Sequence, residues 1–167
     1  MRPTPSLKGR ALKYLAAREH SRSELVRKLA PHVEDQAEIE QVLDELQRRG
    51  LLSEERFVAS VVHRRAAGHG TARIRQELSL KGITADQMRA ALEELQPSEL
   101  ARAHSVWARR FGSPATDTPD TREQSRQMRF LMARGFSGDV VRRVLKGERP
   151  EPLDETLPND ADGSSLS

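Results

Sequence analysis

A chain of 167 residues that is only 36% hydrophobic can form one domain or several small units in series, but not a thick core. One Trp, one Tyr and four Phe leave the interior to Leu, Val, Ile, Met and Ala, which favours thin helical layers over a sandwich or barrel. The absence of cysteine excludes disulfides, thiolate zinc sites and cysteine nucleophiles. No apolar run approaches the ~18–20 residues that span a bilayer, and Met1–Leu7 lacks the apolar core of a signal peptide. A soluble cytoplasmic protein without membrane contact is expected.

The formal charge of +3 hides an asymmetry. Residues 148–167 hold Glu148, Glu151, Asp154, Glu155, Asp160 and Asp162 against Arg149, and removing that −5 leaves +8 on residues 1–147. A basic body suits a polyanion or an acidic protein surface. Arginine dominates it, as phosphate or carboxylate contacts would require and as a GC-rich genome would equally produce.

Apolar spacing is helical along nearly the whole chain. Leu12, Leu15 and Ala16 share one face of a first short helix. Ser21 and Glu24 form a capping-box pattern ahead of Leu25, Val26 and Leu29, and Pro31 closes this second helix. Ile39, Val42, Leu43 and Leu46 make a third stripe, ended by Gly50. Ser53 caps a fourth helix, with Glu54 and Glu55 in its first turn on a solvated face and Phe57, Val58, Val61 and Val62 behind.

After the break at Gly68-His69-Gly70, Thr71 is expected to cap a fifth helix holding Ile74 and Leu78, which stops at Lys81-Gly82. Thr84 and Gln87 form a second capping box, opening a sixth helix with Met88, Ala91, Leu92 and Leu95 that runs to Pro97. A seventh stretch carries Leu100, Ala103, Val106, Trp107 and Phe111, and Gly112–Asp120, with Pro114 and Pro119, reads as a loop. Met128, Leu131 and Met132 lead to Gly135, and a last helix from near Ser137 carries Val140, Val141, Val144 and Leu145 to Gly147. Residues 148–167, rich in proline and acid, are expected to be a disordered tail.

The pattern repeats. Leu78 lies four residues before Gly82-Ile83 and Leu131 four before Gly135-Phe136, while Ile83 to Leu92 and Phe136 to Leu145 both span nine. Ser21–Leu29 and Ile39–Leu46 fill the same roles in a looser first unit. The prediction is an all-α chain of three tandem three-helix repeats, residues 7–52, 53–97 and 98–147, at a period of about 50 residues, stacked into an elongated curved array. Such a shape suits a long partner better than a small substrate.

Nothing in the pattern points to catalysis. His20, His32, His63, His69 and His104 show none of the spacings of a metal site, and Gly68-His69-Gly70 lacks the strand and Lys that a phosphate loop needs. Glu54-Glu55 and Glu93-Glu94 lie in helix end turns, where acids are ordinarily solvated, and no pocket is predicted around them. Neither a cofactor nor a metal is expected.

The basic residues carry more. Arg64, Arg65, Arg73, Arg75 and Lys81 flank the glycine turn and are expected to cluster around Gly68–Thr71, where amides of the fifth helix would face out. Cations at a helix C-terminus are also ordinary dipole partners. Arg122, Arg126 and Arg129 recur at helical spacing, and Arg142, Arg143 and Lys146 lie near the last helix end; these form a second candidate set, for which a solvated face is the plain alternative. Trp107 and Phe111, four apart beside Val106 and Ala103, are assigned to core packing rather than base stacking.

The segment Gly50-Leu51-Leu52-Ser53-Glu54-Glu55-Arg56-Phe57, with Arg64-Arg65, Gly70-Thr71-Ala72-Arg73-Ile74-Arg75-Gln76-Glu77-Leu78 and Lys81-Gly82-Ile83, resembles the RecX regulatory family. Ser21-Arg22-Ser23-Glu24-Leu25 with Lys28-Leu29 resembles that family's first unit, and Arg134-Gly135-Phe136-Ser137 with Val140-Val141-Arg142-Arg143-Val144-Leu145 its last. The likeness covers roughly residues 7–147; the family often has two Asp where this chain has Glu54-Glu55, and the Val33–Glu38 link is long. It implies three three-helix repeats, no catalysis, and binding as a monomer in the groove of a RecA filament on DNA. There such proteins inhibit filament extension, ATP hydrolysis, strand exchange and coprotease activity, with DNA contacts that are nonspecific. The rival class is a helix-turn-helix regulator that reads a DNA sequence, which calls for Asn or Gln base readers on one exposed helix; Gln76 and Gln87 are instead scattered.

Overall fold

A computed structural model describes residues 4–112 and 120–151, so most of the predicted 112–120 loop and of the acidic tail lies outside the described residues. Among these residues all regular structure is helical: α1 (Leu7–Ala17), α2 (Arg22–Leu29), α3 (Gln36–Arg48), α4 (Glu54–Arg65), α5 (Thr71–Leu80), α6 (Ala85–Leu95), α7 (Glu99–Phe111), α8 (Thr121–Ala133) and α9 (Gly138–Leu145). Single 3-10 turns at Ala30–His32 and Gln96–Ser98 accommodate Pro31 and Pro97. Helices of 8 to 13 residues are marginal in isolation, so their stability must come from packing.

That packing is local. Three separate cores form, one per three consecutive helices. The first gathers Ala11, Leu25, Leu29, Ile39, Leu43, Leu46 and Leu52. The second is built on Phe57, Val58, Val61, Ile74, Leu78, Ile83, Met88 and Leu92. The third contains Ala103, Val106, Trp107, Leu131, Phe136, Val140, Val141 and Val144. The chain is therefore three tandem three-helix units, as the repeat spacing predicts.

Local chemistry sets the helix starts. Ser21 Oγ accepts from the Glu24 amide while Glu24 reaches back to the Ser21 amide, and Thr84 and Gln87 do the same for α6. Ser53 and Ser137 each accept from the amide three residues on. Thr71 departs from expectation: it is the first residue of α5, buried, and its side chain makes no cap.

Two apolar faces are also rotated from those predicted. In α1 the buried residue is Ala11, with Leu7, Tyr14 and Leu15 beside it, while Leu12 and Ala16 are exposed. In α8, Met128 and Met132 face solvent and Gln127 joins Leu131 inside. Gln127 is buried because it serves Trp107, whose indole Nε1–H donates to Gln127 Oε1 at 2.8 Å. The indole therefore packs in the third core, as its spacing from Phe111 indicates, and Phe111 meets Phe130 edge to face.

The units are joined twice by one device. The start of each unit's middle helix seats on the glycine turn that ends the next unit's middle helix. At the first joint, Ser21 Oγ donates to the Lys81 carbonyl at 2.7 Å, and a Cβ on Gly82 would lie 2.7 Å from Ser23 Cβ. At the second, the Gly70 amide donates to Arg134 O at 2.8 Å and the Ala72 amide to Gly135 O at 3.3 Å. A Cβ on Gly70 would fall 2.2 Å from the Gly135 carbonyl, and one on Gly135, whose φ is +85°, would fall 2.4 Å from Arg73 Cβ.

Gly135→Ala would drive a methyl group into the Arg73 backbone and impose a left-handed conformation on alanine. It should cost about 2 kcal/mol or more, read by denaturant titration. Amide exchange should accelerate at Gly70 and Ala72 and stay unchanged in the α1–α3 core; an even acceleration through all three units would contradict the local nature of this joint.

Candidate interaction surface

Each joint also borrows a carboxylate. The first amides of a helix have no partner within it, and α2 and α5 bury theirs against the next unit. Glu54, first residue of α4, accepts from the Arg22 amide at 2.7 Å; Glu99, first residue of α7, accepts from the Thr71 amide at 3.1 Å. Glu54 is thus half-buried structure, not the solvated first-turn acid that its position suggests, and Glu99 is buried. The α5 amides face the third unit and not solvent, which corrects the expectation of outward donors there.

At the first joint Glu24 is 4% exposed, yet it takes Arg18 at 3.1 Å and Lys81 at 2.7 Å. Burial alone would raise its carboxyl, but these cations and the Ser21 amide outweigh it and hold the group at about 2. Glu54 moves the other way, since burial raises its pKa against the Arg22 amide and Arg22 charge, and the nearby Glu24 charge adds to the rise. Its buried Oε2 has no hydrogen-bond partner among the described residues.

Arginines crowd the second joint. Beyond α4, the carbonyls of Ala66 to His69 lie past the helix end and are short of partners. Three guanidinium groups from the third unit supply them: Arg102 reaches Ala66 O and His69 O at 3.2 and 2.6 Å, Arg109 reaches Ala67 O at 2.7 Å, and Arg134 reaches Gly68 O at 3.2 Å. On the same turn His69, Arg65, Arg73 and Glu77 line a cavity of about 70 Å³ with Ile74. Burial, followed by the positive charges of Arg134, Arg65 and Arg73, holds the His69 pKa below its ordinary value despite an opposing bond to the backbone at Arg65. This imidazole lies in a field of gathered positive charge.

Of the first predicted basic set, the structure brings Arg65 and Arg73 together, with Arg64 close by. Arg65 pairs with Glu77 at 2.7 Å, Arg64 lies 3.8 Å from the same carboxylate, and Arg73 is exposed beside Gln76. Arg75 points elsewhere, into an α5–α6 groove of about 440 Å³ that it shares with Arg89. Lys81 belongs to the first joint through Glu24.

The second set lies on two helices that pack together, α8 and α9. Arg122, Arg126 and Arg129 are exposed on α8, Arg126 pairing with Glu123 at 3.1 Å and lying over the Phe111 ring. Arg142 lies 3.6 Å from Asp139, and Arg143 pairs with Glu148 at 2.6 Å. Sequence reasoning missed Arg102, Arg109 and Arg134. Only Arg134 carried a signal, since Arg134-Gly135 repeats Lys81-Gly82, and both cations reach back to the preceding unit.

Among the described residues no three His, Asp or Glu side chains gather as a metal set, and no helix is long and apolar enough to cross a membrane. The arrangement offers ionic and hydrogen-bonding contact along the surface of the second and third units.

A depressed carboxyl stabilises the fold above its unfolded pKa and stops doing so as pH falls through its folded value. The Glu24 contribution, about 2 kcal/mol after allowance for its partly exposed partners, should be complete above about pH 4.5 and fade toward pH 2. Glu24→Gln should lower stability at pH 7 and flatten that acid limb. Glu54→Gln, which keeps an acceptor for Arg22, should be neutral or stabilising at pH 7. Thermal melts across pH 2–8 check both, and identical behaviour of the two variants would contradict the assignment.

Three family models match in order along the chain: the first three-helix domain of RecX over residues 8–46, the second over 53–92 and the third over 98–145. The chain is 68% identical over 145 residues to the regulatory protein RecX of Leptothrix cholodnii, covering 87% of this chain and 90% of that one. With the regulatory protein RecX of Ralstonia nicotianae the identity is 52%, over 85% and 87% of the two chains. A crystal structure of regulatory protein RecX superposes with a TM-score of 0.72 at 25% identity, over 84% of this chain and 71% of that one. RecX from Lactobacillus salivarius shares the fold, with a TM-score of 0.68 at 21% identity over 85% and 94% of the chains. Three small cores, two like-built joints and a family match to each unit in turn make this chain a member of the RecX family of regulatory proteins.

Proposed function

We propose that this chain regulates a RecA recombinase by lying in the groove of the RecA–DNA filament as a monomer. There it inhibits filament extension, ATP hydrolysis, strand exchange and coprotease activity, and so moderates DNA repair and the SOS response in the cytoplasm. The observation that carries this reading is the family match to all three units in order, each on its own core. Three units, taken as residues 7–52, 53–97 and 98–147, would meet successive filament protomers, so individually weak contacts sum to useful avidity.

The contact set is Arg64, Arg65, Arg73 and Arg75 on the second unit and Arg122, Arg126, Arg129, Arg142 and Arg143 on the third, facing acidic filament surface or DNA phosphates. Lys81 acts in this set through the joint it makes with Glu24. The DNA component is nonspecific and salt-sensitive.

Sequence-specific reading through a helix-turn-helix is disfavoured by the helix starts. Those of α2 and α5 are occupied by neighbouring units, and α3, α6 and α9 carry Glu38, Asp86 and Asp139 in their first turns, where phosphate would be repelled. The side-chain oxygen of Gln87 is already engaged in its own capping box.

Titration of the protein into RecA filaments on single-stranded DNA should suppress ATP hydrolysis at micromolar excess. The double variant Arg64→Glu/Arg73→Glu should need about tenfold more protein for the same effect, the scale of losing charge-assisted contacts. Absence of inhibition at that excess would remove the proposal; inhibition undiminished in the double variant would remove the contact set.

A further inference from the structure

A basic third unit is followed in the chain by a run of acidic residues. Arg122, Arg129 and Lys146 are exposed and make no ion pair among the described residues, and Arg142 has only the exposed Asp139 at 3.6 Å. Past α9 the chain carries Asp154, Glu155, Asp160 and Asp162.

The direction of exit is visible. Gly147, with a φ of +82°, ends α9, and the Glu148 amide turns back to donate to the Arg143 carbonyl at 3.0 Å. The Glu148 carboxylate lies 2.6 Å from the Arg143 guanidinium. The first acid of the tail is thus already paired with the basic set.

We propose that the following segment, residues 152–167, continues this pairing: it lies over the cations of α8 and α9 and acts as a built-in competitor for the anionic partner. Reach is sufficient. From Glu151 to Asp162 an extended chain spans roughly 37 Å, whereas α8, at 13 residues, is about 20 Å long. The occupant also fits in its apolar content, because Met128 and Met132 stand exposed four residues apart, flanking Arg129, and the segment interleaves Leu153 and Leu157 with its acids. Tethering makes the competitor's effective concentration roughly millimolar, high enough for weak ion pairs to matter at low salt and too low for them to survive strong screening.

The tail therefore sets a threshold. Only a polyanion or acidic surface that outbids it gains the third unit, whereas isolated anions do not. This consequence rests on the proposed filament contact, but the contact between tail and helices does not, and the experiment separates them.

With no native cysteine, Ser164→Cys provides a unique site for a spin label. In the full chain without partner, the label should broaden amide resonances of α8 and the last turn of α9 and leave α1–α3 untouched. The broadening should vanish in about 0.5 M salt and in the variant with Asp154, Asp160 and Asp162 changed to Asn and Glu155 to Gln. Broadening that is absent, spread evenly over the three units, or indifferent to neutralisation would overturn the contact. In a second arm, deleting residues 152–167 should tighten binding of a single-stranded oligonucleotide about five- to tenfold at 50 mM salt, the gain shrinking toward none at 0.3 M. Equal affinity of both forms would overturn the competitor role, whereas failure of either form to bind, with the broadening intact, would tell against the DNA component of the proposed function and uphold the tail contact.

Discussion

The buried start of a helix is the constraint from which the rest follows. α2 and α5 press their first turns against a neighbouring unit, where water cannot reach the free amides, and a buried donor left unpaired costs roughly 1–3 kcal/mol. Both are satisfied by the same means, a glutamate at the first position of the next unit's first helix. Helix α4 or α7 tolerates that carboxylate because acids suit the start of a helix, so one side chain stabilises two helix ends at once. The glycine turns are the other half of the device, since only a residue without Cβ lets the helix start approach so closely.

From this joint the charge distribution follows. Bringing the second unit against the third leaves the carbonyls after α4 facing Arg102, Arg109 and Arg134, whose guanidinium groups can each serve a carbonyl and still keep charge at the surface. Arg65 and Arg73 add to the same turn, while Glu77 and Glu99 are the acids that temper it. The two joints differ in kind. The first relies on ionised side chains around Glu24, whereas the second adds backbone-to-backbone bonds between α5 and the Gly135 turn.

The helices and their grouping into threes were legible because their determinants are local or periodic. Ser21-x-x-Glu24 and Thr84-x-x-Gln87 act within one turn, and the four-residue spacing from Leu78 to Gly82 recurs from Leu131 to Gly135. What escaped depends on contacts between units. Glu54 and Glu99 look like ordinary first-turn acids, and nothing in their neighbours reveals a foreign amide nearby. The α8 face was misassigned because Met is more apolar than Gln, yet Gln127 is inside, held by the indole N–H of Trp107, while Met128 is outside. The same limit applied to the basic residues: spacing grouped five cations around one turn, but the fold spreads them over a joint, a groove and a second joint. Resemblance to the RecX pattern, by contrast, rested on order and spacing along the chain and needed no tertiary contact.

The two polar joints hold three separately cored units in one relative geometry, and the second of them gathers cations of two units around one turn. Pulsed electron resonance on Lys13→Cys/Gln124→Cys, labelled on exposed positions of α1 and α8, measures this most directly, because the distance crosses both joints. The otherwise unchanged chain should give one narrow distance distribution, and a broadened one once Glu54 and Glu99 are both alanine. A broad, multiply peaked distribution before those glutamates are touched would contradict it.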